Sequence, residues 1–377
     1  MLRLFVVSSE FPPGPGGIGQ HAFNFSSFLS FERSVFVLTN GDYTTKPQLE
    51  EFDTNQPFRI LRFKRVGPFS QILRIVTLIK QLFKQKPSSV LFTGLFSIWM
   101  MPFCRLFFPS AKRFAILHGH EPIFGHFVMR TLTRFSLSFA DKIAAVSNFA
   151  ACNYRMDWQK DKRICIIPNG IDPDELSRWI SKIDFLKIKH SSFATNDFFP
   201  TLLTVGHTSP RKGQHNVIAA LPFIKKRFPS VRYYCVGRDV RNEYLKEQAK
   251  KLGVSNQVVF IPPCKMRADL GKWYMQADIF MLLSENQPNG DVEGFGIVAL
   301  EANYFGVPVI GAKGCGVEDA VQDGVSGILV DPTNPNEIVH AVSTILADWQ
   351  GFSSRSRIHA REFDWNKIKV QYIDLFT

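Results

Sequence analysis

Residues 290–321 read GDVEGFGIVALEANYFGVPVIGAKGCGVEDAV, and this stretch indicates the fold more strongly than any other. A glycine-rich loop leads into an apolar run with helical spacing, and a short strand-like run, PVIGA, follows. Loop, helix and strand in this order are typical of α/β proteins with parallel sheets. Two acids lie eight positions apart in it. Glu293 is predicted to lie in the loop, and Glu301 about two turns into the helix.

The same alternation of strand-like and helical patterns continues along the whole chain. Because 377 residues exceed the usual size of a single core, we predict two Rossmann-like α/β domains, 1–171 and 172–359. The crossing between them is predicted within 169–200, and a helix over about 360–377 is expected to pack back on the first domain. The predicted strands are RLFVVSS, SVFVLT, SVLFTG, KRFAILHG, KIAAVS and RICIIPNG, then TLLTVG, RYYCVG, VVFIP, IFMLLS, PVIGA and GILV.

The composition is that of an ordinary globular protein, with 45% hydrophobic and 21% charged residues. Six cysteines without CxxC or metal-type spacing favour reduced thiols over disulfides or zinc. The first apolar run is too short for a signal peptide. The most apolar stretch, GLFSIWMMPFCRLFFPS, is interrupted by Pro102 and Arg105, so we predict a buried or membrane-touching helix and no transmembrane span.

The net charge of +12 is concentrated in the first half of the chain. Residues 1–195 hold 25 Lys and Arg against 14 Asp and Glu, whereas residues 196–377 hold 20 against 19. A basic half is expected to face an anionic partner.

One amphipathic segment in the basic half, FSQILRIVTLIKQLFKQKP, offers two interpretations. It is either an ordinary surface helix packed on its sheet or, together with RILRFKR before it, a face that rests on anionic lipid headgroups. Its predicted polar arc consists of Arg74, Thr77, Lys80, Gln81, Lys84 and Gln85, mostly opposite Ile72, Ile75, Leu78, Ile79, Leu82 and Phe83.

The spacing of Glu293 and Glu301 suits sugar binding. Glycines let backbone N–H groups approach a ligand, and a following helix adds its positive end. A carboxylate accepts hydrogen bonds from a pair of hydroxyls, so two such acids could hold a sugar and a ribose. The alternative is a helix cap and a solvated acid. The glycines, the apolar IVAL between the acids and the later KGCG favour binding.

The E-x7-E pattern within EGFGIVALEA…GVPVI resembles the family 4 retaining glycosyltransferases of the GT-B fold. HGHE together with DVEGFGIVALEA is similar to the phosphatidylinositol mannosyltransferase branch and to bacterial polysaccharide and lipopolysaccharide transferases. The resemblance implies two facing domains with an interdomain cleft, the first for the acceptor and the second for a nucleotide sugar. The other motifs found in family order are the early glycine loop, HGHE, VS, IPNGID, VGHTSPRKG, VGRD and ADIFMLLS.

The resemblance also implies roles for single residues. Arg211 and Lys212 would stabilise the leaving diphosphate as its charge develops. His118, at the end of a strand, would face the donor sugar near the reacting carbon. His207 stands where the family often has arginine, which leaves open whether it makes a second phosphate contact.

The two acids receive separate roles from the same resemblance. Glu301 would bind the ribose, and Glu293 the sugar. The backbone that would assist Glu293 is that of Gly294, Phe295, Gly296 and Ile297.

The early segment SSEFPPGPGGIGQHAFNF contains a formal GxGxxG at Gly14, Gly16 and Gly19, with Asp42 downstream. That pattern is typical of a dinucleotide site. Here EFPP separates strand from glycines, which argues for a longer loop. The resemblance implies that the N–H groups of Gly16 and Gly17 meet the donor phosphate or the acceptor, with a helix starting near Gly19. Asp42 is then a surface residue.

The tripeptide DPD, with Asp172 and Asp174, is a formal DxD that could hold a metal-bound nucleotide. Its place after IPNGI makes Asp172 a candidate helix cap instead. GT-B enzymes generally need no bound metal, so we predict neither metal nor cofactor.

The interpretation is therefore a hexosyltransferase that uses a GDP- or UDP-linked mannose-like or glucose-like sugar. The implied acceptor is lipid-linked, polysaccharide or lipopolysaccharide, and the implied location is cytoplasmic, peripheral on the inner face of the cell membrane. A GT-B epimerase or phosphorylase is the nearest alternative. More remote are a nicotinamide oxidoreductase and a basic nucleic-acid-binding protein, for which no recognition module is visible.

Overall fold

The computed structural model describes residues 3–14, 16–42, 44–63, 67–181, 198–264 and 267–376. The chain forms two compact units. One comprises Met1–Ile167 with Lys369–Thr377, and the other Pro168–Ile368. The predicted boundary at 171 and the predicted returning helix from about 360 differ from these limits by several residues.

The first unit is built on a parallel sheet of seven described strands. Their order is β3-β2-β1-β4-β5-β6-β7, the doubly wound arrangement in which the direction of winding reverses between β1 and β4. The strands are Arg3–Ser8 (β1), Ser34–Asn40 (β2), Arg59–Phe63 (β3), Ser89–Thr93 (β4), Lys112–Leu117 (β5), Lys142–Ala145 (β6) and Ile164–Ile166 (β7). The helices are Gly17–Leu29 (α1), Lys46–Thr54 (α2), Ser70–Gln85 (α3), Leu95–Ile98 (α4), Met101–Phe107 (α5), Phe127–Leu137 (α6) and Asn148–Tyr154 (α7).

Six of these strands are predicted from the sequence, and β3 is not. Every residue of β4 is buried, and its central residues 90–92 form a continuous apolar run. In β3, at the edge of the sheet, Arg59 is exposed and the other four residues are half-buried. With arginines at two of its five positions, RILRF lacks the apolar run from which an inner strand is predicted.

The second unit contains a parallel sheet of six described strands in the order β10-β9-β8-β11-β12-β13. All six are predicted from the sequence. They are Thr201–Val205 (β8), Arg232–Val236 (β9), Val258–Ile261 (β10), Ile279–Leu282 (β11), Val309–Ala312 (β12) and Gly327–Val330 (β13). The helices are Pro173–Ser181 (α8), Gln214–Arg227 (α9), Asn242–Lys251 (α10), Arg267–Gln276 (α11), Ile297–Tyr304 (α12), Val317–Ala320 (α13), Pro335–Ala347 (α14), Trp349–Glu362 (α15) and Trp365–Leu375 (α16).

The carboxyl-terminal segment contributes to both units. In the second, the backbone of Ile171 bonds Phe363 and Trp365, with N–H to oxygen distances of 2.8 and 2.9 Å. In the first, the fully buried Tyr372 packs edge-on against Phe25, with ring centroids 5.1 Å apart. The last residues of α16 therefore complete the core beside α1.

The amphipathic helix α3 exposes Lys80 and Lys84 and buries Leu78 and Leu82, as predicted, but it departs from the prediction at other positions. Arg74 is buried, donates to the Asn40 side chain at 2.6 Å and lies over the ring of Phe63 at 4.7 Å. Ile72 and Val76 are instead 60% and 57% exposed. The predicted polar arc is thus wrong for Arg74, because an acceptor at the end of β2 and an aromatic ring make its burial favourable.

The apolar stretch GLFSIWMMPFCRLFFPS forms two short helices, α4 and α5, rather than one buried helix. Leu106 and Phe107 at the end of α5 are exposed. Across the described parts of the chain, every helix is too short or too polar to cross a bilayer. The six cysteines are free thiols, three buried and three half-buried.

Candidate active site

Arg211 and Lys212 lie in a tight turn between β8 and α9. The turn ends at Gly213, which has a φ of +69° and lies so close to β11 that a Cβ would overlap the Leu283 carbonyl. Only glycine fits this position without strain. The turn brings the Lys212 side chain beneath the protein surface, where the residue is only 9% exposed.

The carboxylate of Glu293 lies between these two cations. Its Oε2 is 2.7 Å from Lys212 Nζ and also accepts from Arg211 Nη1, while Arg211 Nε lies 3.0 Å from Asp291 Oδ1. Burial by itself raises the pKa of Glu293, but the positive charges of Lys212 and Arg211 outweigh burial and lower the pKa to about 2. The acid is therefore ionised at neutral pH.

The loop that carries Glu293 is fixed by the KGCG segment. The N–H of Gly316 donates to the Glu293 carbonyl at 2.8 Å, and a Cβ on Gly316 would overlap the Gly294 backbone. Gly296, with a φ of +93°, then begins α12, and no side chain in the described ranges caps that helix. The backbone of Gly294–Ile297 thus lies at the positive end of a helix, next to Glu293.

Glu301 lies one turn into α12, because the helix begins at Ile297 and not earlier as predicted. Its Oε2 accepts from the hydroxyl of Tyr274 at 2.7 Å. The Tyr274 ring is fully buried and stacks on Phe305, with centroids 5.4 Å apart. Tyr274 therefore fixes the direction of a half-buried carboxylate.

Tyr274→Phe is expected to raise the KM for a sugar nucleotide about three- to tenfold with little change in kcat, since the hydrogen bond that orients the Glu301 carboxylate is lost. Steady-state kinetics across donor concentrations measures the effect. Tyr244→Phe, an exposed tyrosine on α10, is the matched control. An unchanged KM in Tyr274→Phe would show that the orientation of Glu301 does not matter for donor binding.

His207 follows β8 and is half-buried. Burial and then the positive charges of Arg211 and Lys212 lower its pKa below the usual value. At neutral pH this favours an uncharged ring, which can donate a hydrogen bond to a phosphate but brings no positive charge. In this respect His207 differs from an arginine.

In the first unit, His118 directly follows β5 and has an ordered environment. Its Nε2 lies 2.9 Å from Thr93 Oγ1, and its ring meets that of His21 edge-on at 5.1 Å. The fully buried Glu121 accepts from the backbone N–H groups of His118 and Gly119 at 3.0 and 3.1 Å. Burial lowers the pKa of His118 to about 3. The ring is therefore neutral and suited to hydrogen bonding rather than to proton transfer at neutral pH.

The early glycine loop also lies in the first unit, and its helix begins at Gly17, two residues before the predicted start. Gly16 has a φ of +141°, and a Cβ there would overlap the carboxylate of Glu10. An acidic group thus lies at the N-terminus of α1, where an anion is favoured. Asp42 is exposed at the end of β2.

The DPD tripeptide has the predicted capping geometry. Oδ1 of Asp172 accepts from the N–H groups of Asp174 and Glu175 at 2.9 and 3.1 Å, at the start of α8. The described residues contain no group of three His, Cys, Asp or Glu placed to hold a metal ion.

The prediction from sequence missed three residues that position the predicted ones. Asp291 pairs with Arg211, and its place two residues before Glu293 in an extended loop was an available signal. Tyr274 and Thr93 lie far along the chain from their partners and carry no local signal. Glu121, the acid of the HGHE motif, fixes the His118 backbone by accepting from its N–H group.

Comparison with known proteins agrees with this geometry. Residues 15–175 match the family described as Glycosyltransferase Family 4, and residues 187–363 match Glycosyl transferases group 1. The GDP-mannose-dependent alpha-(1-6)-phosphatidylinositol monomannoside mannosyltransferase of Mycolicibacterium smegmatis is 29% identical over 362 residues, which are 92% of this chain and 89% of that one.

Two solved structures share the fold. Alr3699/HepE of Anabaena, in complex with UDP and glucose, has a TM-score of 0.78 at 21% identity, covering 99% of both chains. The lipopolysaccharide outer core galactosyltransferase WaaB has a TM-score of 0.70 at 15% identity, again covering 99% of both chains.

The two Rossmann-like parallel sheets and these structural neighbours define the GT-B fold. The two family matches together span most of the chain. The chain therefore belongs to the family 4 glycosyltransferases, and it is a hexosyltransferase of that type.

Proposed function

We propose that the protein transfers a hexose from a nucleoside diphosphate sugar with retention of anomeric configuration, without a bound metal or other cofactor. The observation that carries the proposal is the shared Oε2 of Glu293, on which Arg211 and Lys212 converge. Two cationic side chains that converge on one point can bind a diphosphate and stabilise its developing charge, which is the role that a metal has in other transferases.

The reaction proposed is a substitution on one face of the sugar. The acceptor hydroxyl attacks the anomeric carbon while the bond from that carbon to the diphosphate oxygen breaks, and the same leaving diphosphate takes the hydroxyl proton. Arg211 and Lys212 balance the charge that appears on the phosphate oxygens. Glu293, displaced from the cations by the diphosphate, accepts from sugar hydroxyls, and Glu301 accepts from the ribose hydroxyls.

For the first unit we propose acceptor binding. The neutral His118 would donate or accept one hydrogen bond at the donor sugar, since its ring is held by Thr93 and its backbone by Glu121. The N–H groups of Gly16 and Gly17, at the start of α1, would meet the donor phosphate or the acceptor once Glu10 moves aside.

The donor is proposed to be GDP-mannose or a UDP-hexose, and the acceptor a lipid-linked saccharide, polysaccharide or lipopolysaccharide. Support comes from the similarity to the GDP-mannose-dependent mycobacterial mannosyltransferase and to Alr3699/HepE, whose structure is in complex with UDP and glucose. A panel of nucleotide sugars, scored for released nucleotide with and without membrane lipid extract, tests the proposal. Release confined to one donor and dependent on acceptor is expected. Absence of release with every donor would contradict it.

We further propose that the first unit rests on the cytoplasmic face of the cell membrane. Residues 54–140 contain thirteen Lys and Arg but a single acid, Glu121, which is fully buried. Within that region, α3 packs beside α5, and α5 beside α6. All three helices present apolar side chains to solvent: Ile72, Leu73, Val76, Phe83, Leu106, Phe107, Phe127, Val128, Leu132 and Phe135. Apolar groups among cations match an anionic bilayer surface.

Ile72→Ser combined with Val76→Ser is expected to weaken binding to vesicles of phosphatidylcholine and phosphatidylglycerol at least about tenfold, because two apolar side chains no longer enter the interface. Co-sedimentation measures the binding. Val240→Ser combined with Ile358→Ser, two exposed apolar positions of the second unit, is the control. Equal binding by both double variants would show that α3 is not part of the membrane-facing surface.

A further inference from the structure

A cleft opens at the amino ends of the first three strands. His118 lies at the other end of the sheet, where the strands terminate. It measures about 700 Å³ and is lined by the first residues of β1, β2 and β3 and by the last turn of α3. Four of its lining residues are cationic, and none of those described is acidic. The cations are Arg3, Arg33, Arg59 and Lys84.

Arg33 is the unusual member of this group. It is only 8% exposed, and its guanidinium lies over the ring of Phe376 at 5.2 Å. Among the residues that the structure describes, nothing accepts a hydrogen bond from its side chain. A guanidinium has five N–H donors, and those of Arg33 line an open cleft and are not sealed from solvent. They are therefore available to an anion that enters the cleft.

The other cations extend the same site. Arg3 is held in place by a 2.6 Å hydrogen bond from Nη1 to the Gln85 carbonyl, at the end of α3. Arg59 is exposed at the start of the edge strand, and the Phe36–Arg59 register places it beside β2. The planar guanidinium of Arg33, with further cations beside it, is better suited to the oxygens of a phosphate group than to a neutral ligand.

We infer that this cleft binds the phosphate of an anionic lipid headgroup. The lipid source follows from the last turn of α3. This turn supplies Lys84 to the cleft, and Phe83, directly before Lys84, is 55% exposed. A free phosphate has no use for apolar side chains beside it, whereas a phospholipid offers acyl chains next to its phosphate. The inference rests on the membrane part of the proposed function and adds a defined headgroup site to it.

The lipid bound here is an anchor and not the acceptor. β1 runs from Arg3 to Ser8, and five steps at about 3.3 Å separate its two ends by roughly 17 Å. His118 and the glycine loop lie at the far end of the strands. The cleft therefore holds a lipid that is not glycosylated, and its loss leaves transfer to a water-soluble acceptor unchanged.

Arg33→Gln is expected to reduce the affinity for vesicles of phosphatidylcholine mixed with phosphatidylglycerol about fivefold or more, with binding to pure phosphatidylcholine unaffected. Arg33→Lys restores only part of the affinity, because an ammonium lacks the planar fork. Arg59→Gln, at an exposed position where folding is not at risk, is expected to have a smaller effect in the same direction. Lys160→Gln, exposed near the opposite edge of the sheet, removes equal charge as the control.

The outcomes separate the inference from the proposed function. If wild-type protein shows no preference for anionic vesicles, both the membrane proposal and the headgroup site are wrong. If wild type prefers them, and folded Arg33→Gln and Arg59→Gln bind as Lys160→Gln does, the headgroup site alone is wrong. A third outcome, measured by calorimetry, is micromolar binding of inorganic phosphate that is lost in Arg33→Gln, with vesicle binding unchanged. That result would identify a site for free phosphate and would contradict the inference that the bound phosphate belongs to a lipid.

Discussion

Lys212→Ala is expected to lower kcat/KM for the sugar nucleotide about 10²- to 10³-fold, the usual effect of removing one preorganised group that stabilises transition-state charge. The ammonium of Lys212 lies in a largely buried position beside Arg211, where attraction to a diphosphate is stronger than in water. Most of the loss is expected in kcat, because negative charge grows on the diphosphate as the sugar leaves. Steady-state release of nucleotide measures both parameters.

The control for this prediction is Lys250→Ala, which removes an exposed lysine from α10 of the same unit. It is expected to leave turnover within about twofold of wild type, since exposed charges contribute little. Circular dichroism and thermal melting show whether Lys212→Ala is folded. Turnover near the wild-type rate in a folded Lys212→Ala would exclude Lys212 from the reaction.

Glu293→Gln is expected to separate binding from turnover. The Glu293 carboxylate pairs with Arg211 and Lys212, the two cations proposed to bind the diphosphate. Removing its charge removes this competition, so free UDP or GDP should bind about three- to tenfold more tightly. The sugar loses a carboxylate partner at the same time, and kcat should fall about 10²-fold. Calorimetry with the nucleotide and steady-state kinetics with the donor give the two numbers.

Glu285→Gln provides a matched loss of charge in the same region. Glu285 pairs with His215 at 2.8 Å and does not contact the Arg211 or Lys212 side chains. It is expected to change neither nucleotide affinity nor kcat by more than about twofold. Weaker nucleotide binding by Glu293→Gln would contradict the competition between carboxylate and diphosphate.

Much of the fold follows from the sequence because the inner strands are buried on both faces. Strands such as β4 and β11 contain only buried residues, so local composition is sufficient to predict them. The edge strand β3 has no such run. The orientation of α3 depends on Asn40 and Phe63, which lie in other elements and make burial of Arg74 favourable. Helical periodicity alone cannot supply that information.

The candidate site can be predicted only in part from local sequence patterns. The spacing of Glu293 and Glu301 and the adjacent Arg211 and Lys212 are visible in the sequence, and the family resemblance gives them roles. The ion pairs join positions about eighty residues apart, so only the fold shows that one oxygen meets both cations. The hydrogen bond from Tyr274 to Glu301 is equally non-local.

The carboxylate that lies between Arg211 and Lys212 also bears on selectivity in a cell rich in inorganic anions. Under the proposed function, an inorganic phosphate would have to displace Glu293 without giving that carboxylate a new partner. A complete sugar nucleotide would supply hydroxyl groups to the displaced carboxylate. Once the hexose has been transferred, the nucleotide would lack those hydroxyl groups, and the return of Glu293 to the two cations would favour its release.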